Sequence, residues 1–128
     1  MPAKILALIP AFNEAARVAP VVEQARTHLP VLVVDDGSTD DTSTVAQAAG
    51  AIVVRQEPNQ GKGTALQRGF RYALEEGFDA VLTLDADGQH DPAEMPLFID
   101  TFAATFPETA PDLIIGRRRF RQMPWVRR

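Results

Sequence analysis

Five short apolar runs, each followed by a polar segment, constrain this chain more than any other feature. They are Ile5 to Ile9, Val31 to Val34, Ala51 to Val54, Ala80 to Leu84 and Leu113 to Ile115. Runs this short suit strands rather than helices, and a strand that is apolar at every position is buried on both faces. The segments between them carry helical spacing. Val18, Val22, Ala25 and Leu29 share one face, with the helix starting after Asn13-Glu14 and Pro20 in its first turn. Thr39 or Asp40 can cap a second helix running through Val45 and Ala48 to a stop at Gly50. A third follows Gly61, presents Ala65, Leu66, Gly69, Phe70, Ala73 and Leu74, and ends at Gly77. A fourth covers Ala93 to Phe106, with Met95, Leu97, Phe98, Phe102 and Phe106 as its apolar surface. Strands alternating with helices predict an α/β fold with a largely parallel sheet, and no repeat or linker interrupts the pattern.

Ligands in open parallel sheets lie outside the carboxyl ends of the strands, so the polar clusters that end successive runs belong to one site. The run Leu82 to Pro92, LTLDADGQHDP, carries the strongest of them. In extended chain residues i and i+2 point the same way, so Asp85 and Asp87 can share a cation, and Gln89 continues the spacing. Magnesium or manganese held by two or three protein groups keeps positions open for water and phosphate oxygens. An isolated DxD is equally a solvated acidic turn. His90 reads as a turn residue or a further ligand, and Asp91 before Pro92 as a helix cap.

The other clusters also have two readings. Asp35 and Asp36 can accept hydrogen bonds from a base or ribose, or serve as turn and cap residues ahead of Gly37. Lys62, between Gly61 and Gly63, can neutralise a phosphate or help hold base and ribose; the glycines can equally be a flexible helix start. A P-loop is excluded, because Gln56 stands where its first glycine belongs and Gly63 where it needs Ser or Thr. A dinucleotide fingerprint fails at Leu66.

Taken in order, IPAFNE, VVDDGSTD, NQGKG and DADGQHDP resemble the nucleotide-sugar-binding half of the family 2 glycosyltransferases with the GT-A fold. The likeness is strongest to the dolichol- and polyprenyl-phosphate mannose or glucose synthases and runs from Ile9 to about Arg127. It implies a GT-A, Rossmann-like, mostly parallel sheet flanked by helices. It also implies metal-dependent, inverting transfer of a hexose from GDP-mannose or UDP-glucose to a polyprenyl phosphate at a membrane surface, with Mg2+ or Mn2+. By the same resemblance Pro10, Phe12 and Glu14 line the nucleoside pocket, Asp36 contacts base or ribose, and Lys62 belongs to the nucleotide site. Asp85 lies near ribose and metal, while Asp87 and Gln89 match metal and diphosphate positions. Gly116-Arg117-Arg118 resembles the family's Gly-Ser-Arg element with Arg117 in place of serine, which makes Arg118, with Asp87, an expected catalytic residue.

Family enzymes are longer and continue into an acceptor-binding segment. The expected organisation is therefore a nucleotide-sugar-binding domain over residues 1–116 and a basic tail, 117–128, that begins a truncated acceptor region. The alternatives are a nucleotide-sugar-binding module without turnover, and an unrelated metal-dependent nucleotide or phosphate enzyme on a similar sheet. Charge follows the same division. All 17 acidic residues and seven of the 13 basic ones precede Arg117, a net −10, whereas the last 12 residues carry six arginines. That tail suits phosphates or an anionic membrane surface, or is simply solvated; the acidic remainder argues against a nucleic-acid footprint. The absence of cysteine fits a reducing compartment, and Ile5 to Ile9 is too short to span a bilayer. The expectation is a cytoplasmic chain, peripheral at most to a membrane, of open oligomeric state.

Overall fold

The computed structural model describes residues 4–87, 95–96, 99–100, 114–116 and 126–127. In chain order these form β1 (Ile5–Ala11), α1 (Val18–Arg26), β2 (Val31–Asp35), α2 (Thr42–Ala49), β3 (Ile52–Arg55), α3 (Lys62–Glu75), β4 (Ala80–Thr83), β5 (Ile114–Gly116) and β6 (Val126–Arg127). They build one sheet in the order β3-β2-β1-β4-β5-β6. Pairing is parallel from β3 through β5, and β6 runs antiparallel to β5.

Central β1 shows why its run is apolar throughout: Leu6 to Ile9 are wholly buried. Ile5, Ala7, Ile9 and Ala11 face one layer, packed with Val18, Val21, Val22 and Ala25 of α1 and Ala46 and Ala49 of α2. Leu6 and Leu8 face the other, against Ala65 and Ala73 of α3. Burying each such leucine stabilises the fold by about 2 kcal/mol. Small side chains on α3 bring it close to the sheet. A Cβ at Gly69 would lie 2.3 Å from Leu8 Cδ1, so only glycine fits under that helix.

Sheet order also creates the crevice in which a ligand can sit. From β1 the chain moves outward through β2 and β3, then returns to lay β4 on the opposite side of β1. The connections after β1 and β4 therefore diverge, and the space between them opens at the carboxyl ends of both strands.

Several elements depart from the sequence expectation. β3 is an edge strand, so its apolar run is not buried on both faces; Ile52 is 48% exposed. β1 extends through Pro10 and Ala11, because pairing with Val34 and Asp35 of β2 carries the strand past its apolar run. β5 starts at Ile114, and β6 has no apolar run to announce it, being held by its pairing with β5. Asp41 occupies the cap position of α2 without a side-chain bond, while Asp40 accepts from Thr42 N at 3.0 Å. Leu74 is 52% exposed, one residue around the helix from buried Ala73. Gly50 and Gly77 end their helices with φ of 110° and 77°, as expected. Of the fourth helix, Met95, Pro96, Ile99 and Asp100 are helical, and its remainder lies outside the described residues.

One substitution made at two glycines of α3 should have opposite effects. Gly69→Ala is expected to destabilise by about 1–3 kcal/mol through its clash with Leu8. Gly63→Ala, with nothing within 4 Å, should gain about 0.5 kcal/mol from helix propensity. Denaturant midpoints of the two variants check both signs.

Candidate functional site

A cavity of about 260 Å³ occupies the crevice. The end of β1 contributes Pro10, Ala11, Phe12 and Glu14, the end of β2 Asp36, and the first turn of α3 Lys62 and Ala65. The segment after β4 supplies Asp85, Ala86 and Asp87. Thus Pro10, Phe12, Glu14, Asp36, Lys62, Asp85 and Asp87, singled out in the sequence, surround one space. Gln89, His90, Asp91, Arg117 and Arg118 lie outside the described residues. Phe12 is 45% exposed, an apolar ring left in water at a cavity wall and therefore a flat surface for a ring to stack on.

The loops after β1 and β2 are cross-linked by hydrogen bonds that the sequence pattern did not announce. Asn13 adopts φ 54°, a left-handed conformation that asparagine tolerates better than most residues. This aims its Oδ1 at Thr39 N, 2.8 Å away, while Asn13 N donates to Ser38 Oγ at 2.8 Å. Glu14 N donates to Thr42 Oγ1 at 2.9 Å and Ala15 N to Asp40 Oδ2 at 3.2 Å. Hydrogen bonds, first among them the one from the Thr42 hydroxyl, hold the Asp40 carboxyl below its ordinary pKa against the opposing effect of burial. Glu14 Oε1 is shielded from solvent, 2.6 Å from Arg17 Nη2, in an ion pair without hydrogen-bond alignment. Only the helix-capping character of Thr39 and Asp40 hinted at these contacts.

The paired acids Asp35 and Asp36 prove to be internal supports. Asp35 is fully buried and accepts from Ser38 N at 2.9 Å, Arg55 Nη1 at 3.0 Å and the Ser43 hydroxyl. Asp36 Oδ1 accepts from Gln56 Nε2 at 2.8 Å and Gln60 N at 2.7 Å. Its Oδ2 accepts from Asn59 Nδ2 at 2.9 Å and Gly61 N at 2.8 Å. A carboxylate offers about four acceptor sites, and all of them are taken. Asp36 thus borders the cavity while its carboxylate holds the loop from Gln56 to Gly61. Gly37 makes the fit possible, because a Cβ there would lie 2.8 Å from Asn59 N and its φ is 72°. Burial pushes the Asp36 pKa up, but the bonds from Gln60, Gln56 and Gly61 together outweigh it and hold the carboxyl below its ordinary value.

Across the cavity, Lys62 Nζ sits 3.2 Å from Asp85 Oδ1, an ion pair with Asp85 25% exposed and Lys62 65% exposed. Glu14, Asp36, Asp85 and Asp87 give the described wall four carboxylates against this one ammonium. Such a cavity repels a diphosphate unless a cation is added. Two carboxylates in DxD spacing, hard oxygen donors with a cation already drawn to one of them, fit Mg2+ or Mn2+. Among the described residues no three His, Cys, Asp or Glu side chains cluster to hold a metal, so such an ion depends on Asp85, Asp87 and oxygens from elsewhere.

The family model for glycosyl transferase family 2 matches residues 7–128. The chain belongs to that family. This family 2 chain is 34% identical over 124 residues to the undecaprenyl-phosphate mannosyltransferase of Micrococcus luteus, covering 91% of itself and 49% of that protein. It is 31% identical over 138 residues to the polyprenol monophosphomannose synthase of Mycolicibacterium smegmatis, covering 97% of itself and 50% of the relative. It spans about half the length of these curated relatives. Its structure is similar to glucosyl-3-phosphoglycerate synthase from Mycobacterium tuberculosis in complex with Mn2+, UDP and glucosyl-3-phosphoglycerate. That match has a TM-score of 0.67 and 31% identity over 79% of this chain and 40% of the other. The fold is thus that of the GT-A glycosyltransferases, as the four clusters implied.

The Asp36 network of this family 2 domain carries a pH signature. Because the folded pKa is lowered, its stabilisation is complete above the ordinary value of 3.8 and is lost as pH falls through the lowered one. Asp36→Asn should cost about 2–3 kcal/mol at neutral pH, since two backbone donors lose charged acceptors. The difference between wild type and variant, measured by denaturant unfolding, should stay flat from about pH 5 to 8 and shrink in acid.

Proposed function

We propose that this domain binds a nucleoside-diphosphate hexose, GDP-mannose or UDP-glucose, and that the protein transfers the hexose with inversion to a polyprenyl phosphate. The convergence of Phe12, Lys62, Asp85 and Asp87 on one crevice at the switch in sheet order carries this reading. Phe12 offers its ring to the base, with Pro10 and Glu14 around the nucleoside. Asp36, on the cavity wall, contacts base or ribose and fixes the loop that sets where α3 and Lys62 begin. Asp85 and Asp87 would hold Mg2+ or Mn2+, with Gln89 beside them in sequence; the ion would neutralise charge growing on the departing diphosphate. Arg118, assigned from sequence alone, would face phosphate as a bidentate donor. A phosphate acceptor is already ionised at neutral pH, so its attack on the anomeric carbon needs no protein base.

Support for the acceptor comes from relatives named for undecaprenyl phosphate and polyprenol. Support for a metal and a uridine donor comes from a structural neighbour solved with Mn2+ and UDP. A membrane-surface location rests on the six arginines after Gly116, since no described helix is long and apolar enough to cross a bilayer. The second reading is a donor-binding module without turnover.

Transfer of label from sugar nucleotide to a short polyprenyl phosphate, with Mn2+ present, separates the two readings. The proposal expects labelled lipid, and a loss of at least about 100-fold in Asp87→Ala with the unfolding midpoint unchanged, because a strand-end carboxylate contributes little packing. Donor binding without labelled lipid would establish the module instead.

A further inference from the structure

Resting on the donor-site reading above, we infer that Lys62 is a placeholder cation. Its ammonium occupies Asp85 while no divalent ion is bound, and the arriving ion releases it to the diphosphate. Three observations lead here. Lys62 Nζ lies 3.2 Å from Asp85 Oδ1, one of the two carboxylates in DxD spacing, so an ammonium and a divalent ion compete for the same oxygen. Repulsion between an ammonium and a divalent ion on one carboxylate favours displacement of the weaker-held ammonium.

Second, the pair is built to exchange. Lys62 is 65% exposed, and an ion pair this open shifts an equilibrium by about fivefold or less. Third, its backbone is held while its side chain is not confined. Asp36 grips Gln60 N and Gly61 N immediately before α3, and a Cβ at Gly61 or Gly63 would meet nothing within 4 Å. The long side chain can swing from a fixed origin. Elsewhere on the wall, Glu14 is paired with Arg17 and Asp36 carries four hydrogen bonds, so neither competes strongly for the ammonium.

The consequence is a coupling between the two ligands. Metal alone must displace Lys62 and leave it in water; metal arriving with diphosphate displaces it onto a new anion. Nucleotide should then strengthen metal binding more in the wild type than in a variant lacking the ammonium.

Calorimetric titration of the purified chain with Mn2+, alone and with UDP or GDP, tests this. Lys62→Met should bind Mn2+ alone about fivefold tighter than wild type, yet bind nucleotide at saturating Mn2+ about fivefold more weakly. Arg71→Met removes an exposed charge from the same helix nine residues on, about 13 Å along its axis, and should leave both affinities unchanged. Equal Mn2+ affinity in wild type and Lys62→Met, with nucleotide binding intact in the wild type, would overturn the placeholder while leaving the donor site standing. An equal gain in Arg71→Met would assign the effect to net charge and overturn it too. No Mn2+ binding in any variant would remove the metal site and this inference together.

Discussion

One buried carboxylate organises this domain's functional end. Asp36 leaves β2 at the carboxyl edge of the sheet and accepts four hydrogen bonds, two of them from the backbone just before α3. Burying a charge is costly unless every lone pair is used, and here every one is. What the arrangement secures is the position at which α3 begins, and with it Lys62 and the wall of the crevice. Behind it, Asp35 performs a parallel task for Arg55 and Ser43. The acid pair therefore braces the loops around the crevice, and Asp85 and Asp87 line it from the segment after β4.

Charge then sets the chemistry available. A wall of four carboxylates and one ammonium has no use for an anionic ligand by itself, yet it suits an anion that arrives with a divalent ion. The switch in sheet order places this wall where the loops after β1 and β4 part, and Phe12 adds an apolar plane at one side. Stacking surface, carboxylate pair and exposed ammonium lie around a space the size of a small ligand.

Much of this was legible in the letters, for identifiable reasons. β1, β2 and β4 are buried on both faces, so their apolar runs mark them almost to the residue. The residues that line the cavity were legible because the clusters follow such runs, and the sheet collects strand ends at one edge. Division of labour among them was not. Asp36 and Asp85 look alike in sequence and both line the cavity, and only the distant donors of Gln56, Asn59, Gln60 and Gly61 show that Asp36 also fixes a loop. Edge effects were also hidden: β3's exposure depends on having one neighbour rather than two, and β6 exists through pairing rather than composition. The cross-links from Asn13 and Glu14 to Ser38, Thr39 and Thr42 join loops far apart in sequence, which local pattern cannot report.

The central claim is that Asp85 and Asp87 make this crevice a metal-dependent site for a sugar nucleotide. It is tested most directly by titrating the purified chain with UDP-glucose and with GDP-mannose, each in Mn2+ and again in chelator. The account predicts that one of the two binds in Mn2+ and that chelator abolishes the binding. Equal binding with and without the metal, or binding of neither nucleotide under both conditions, would contradict it.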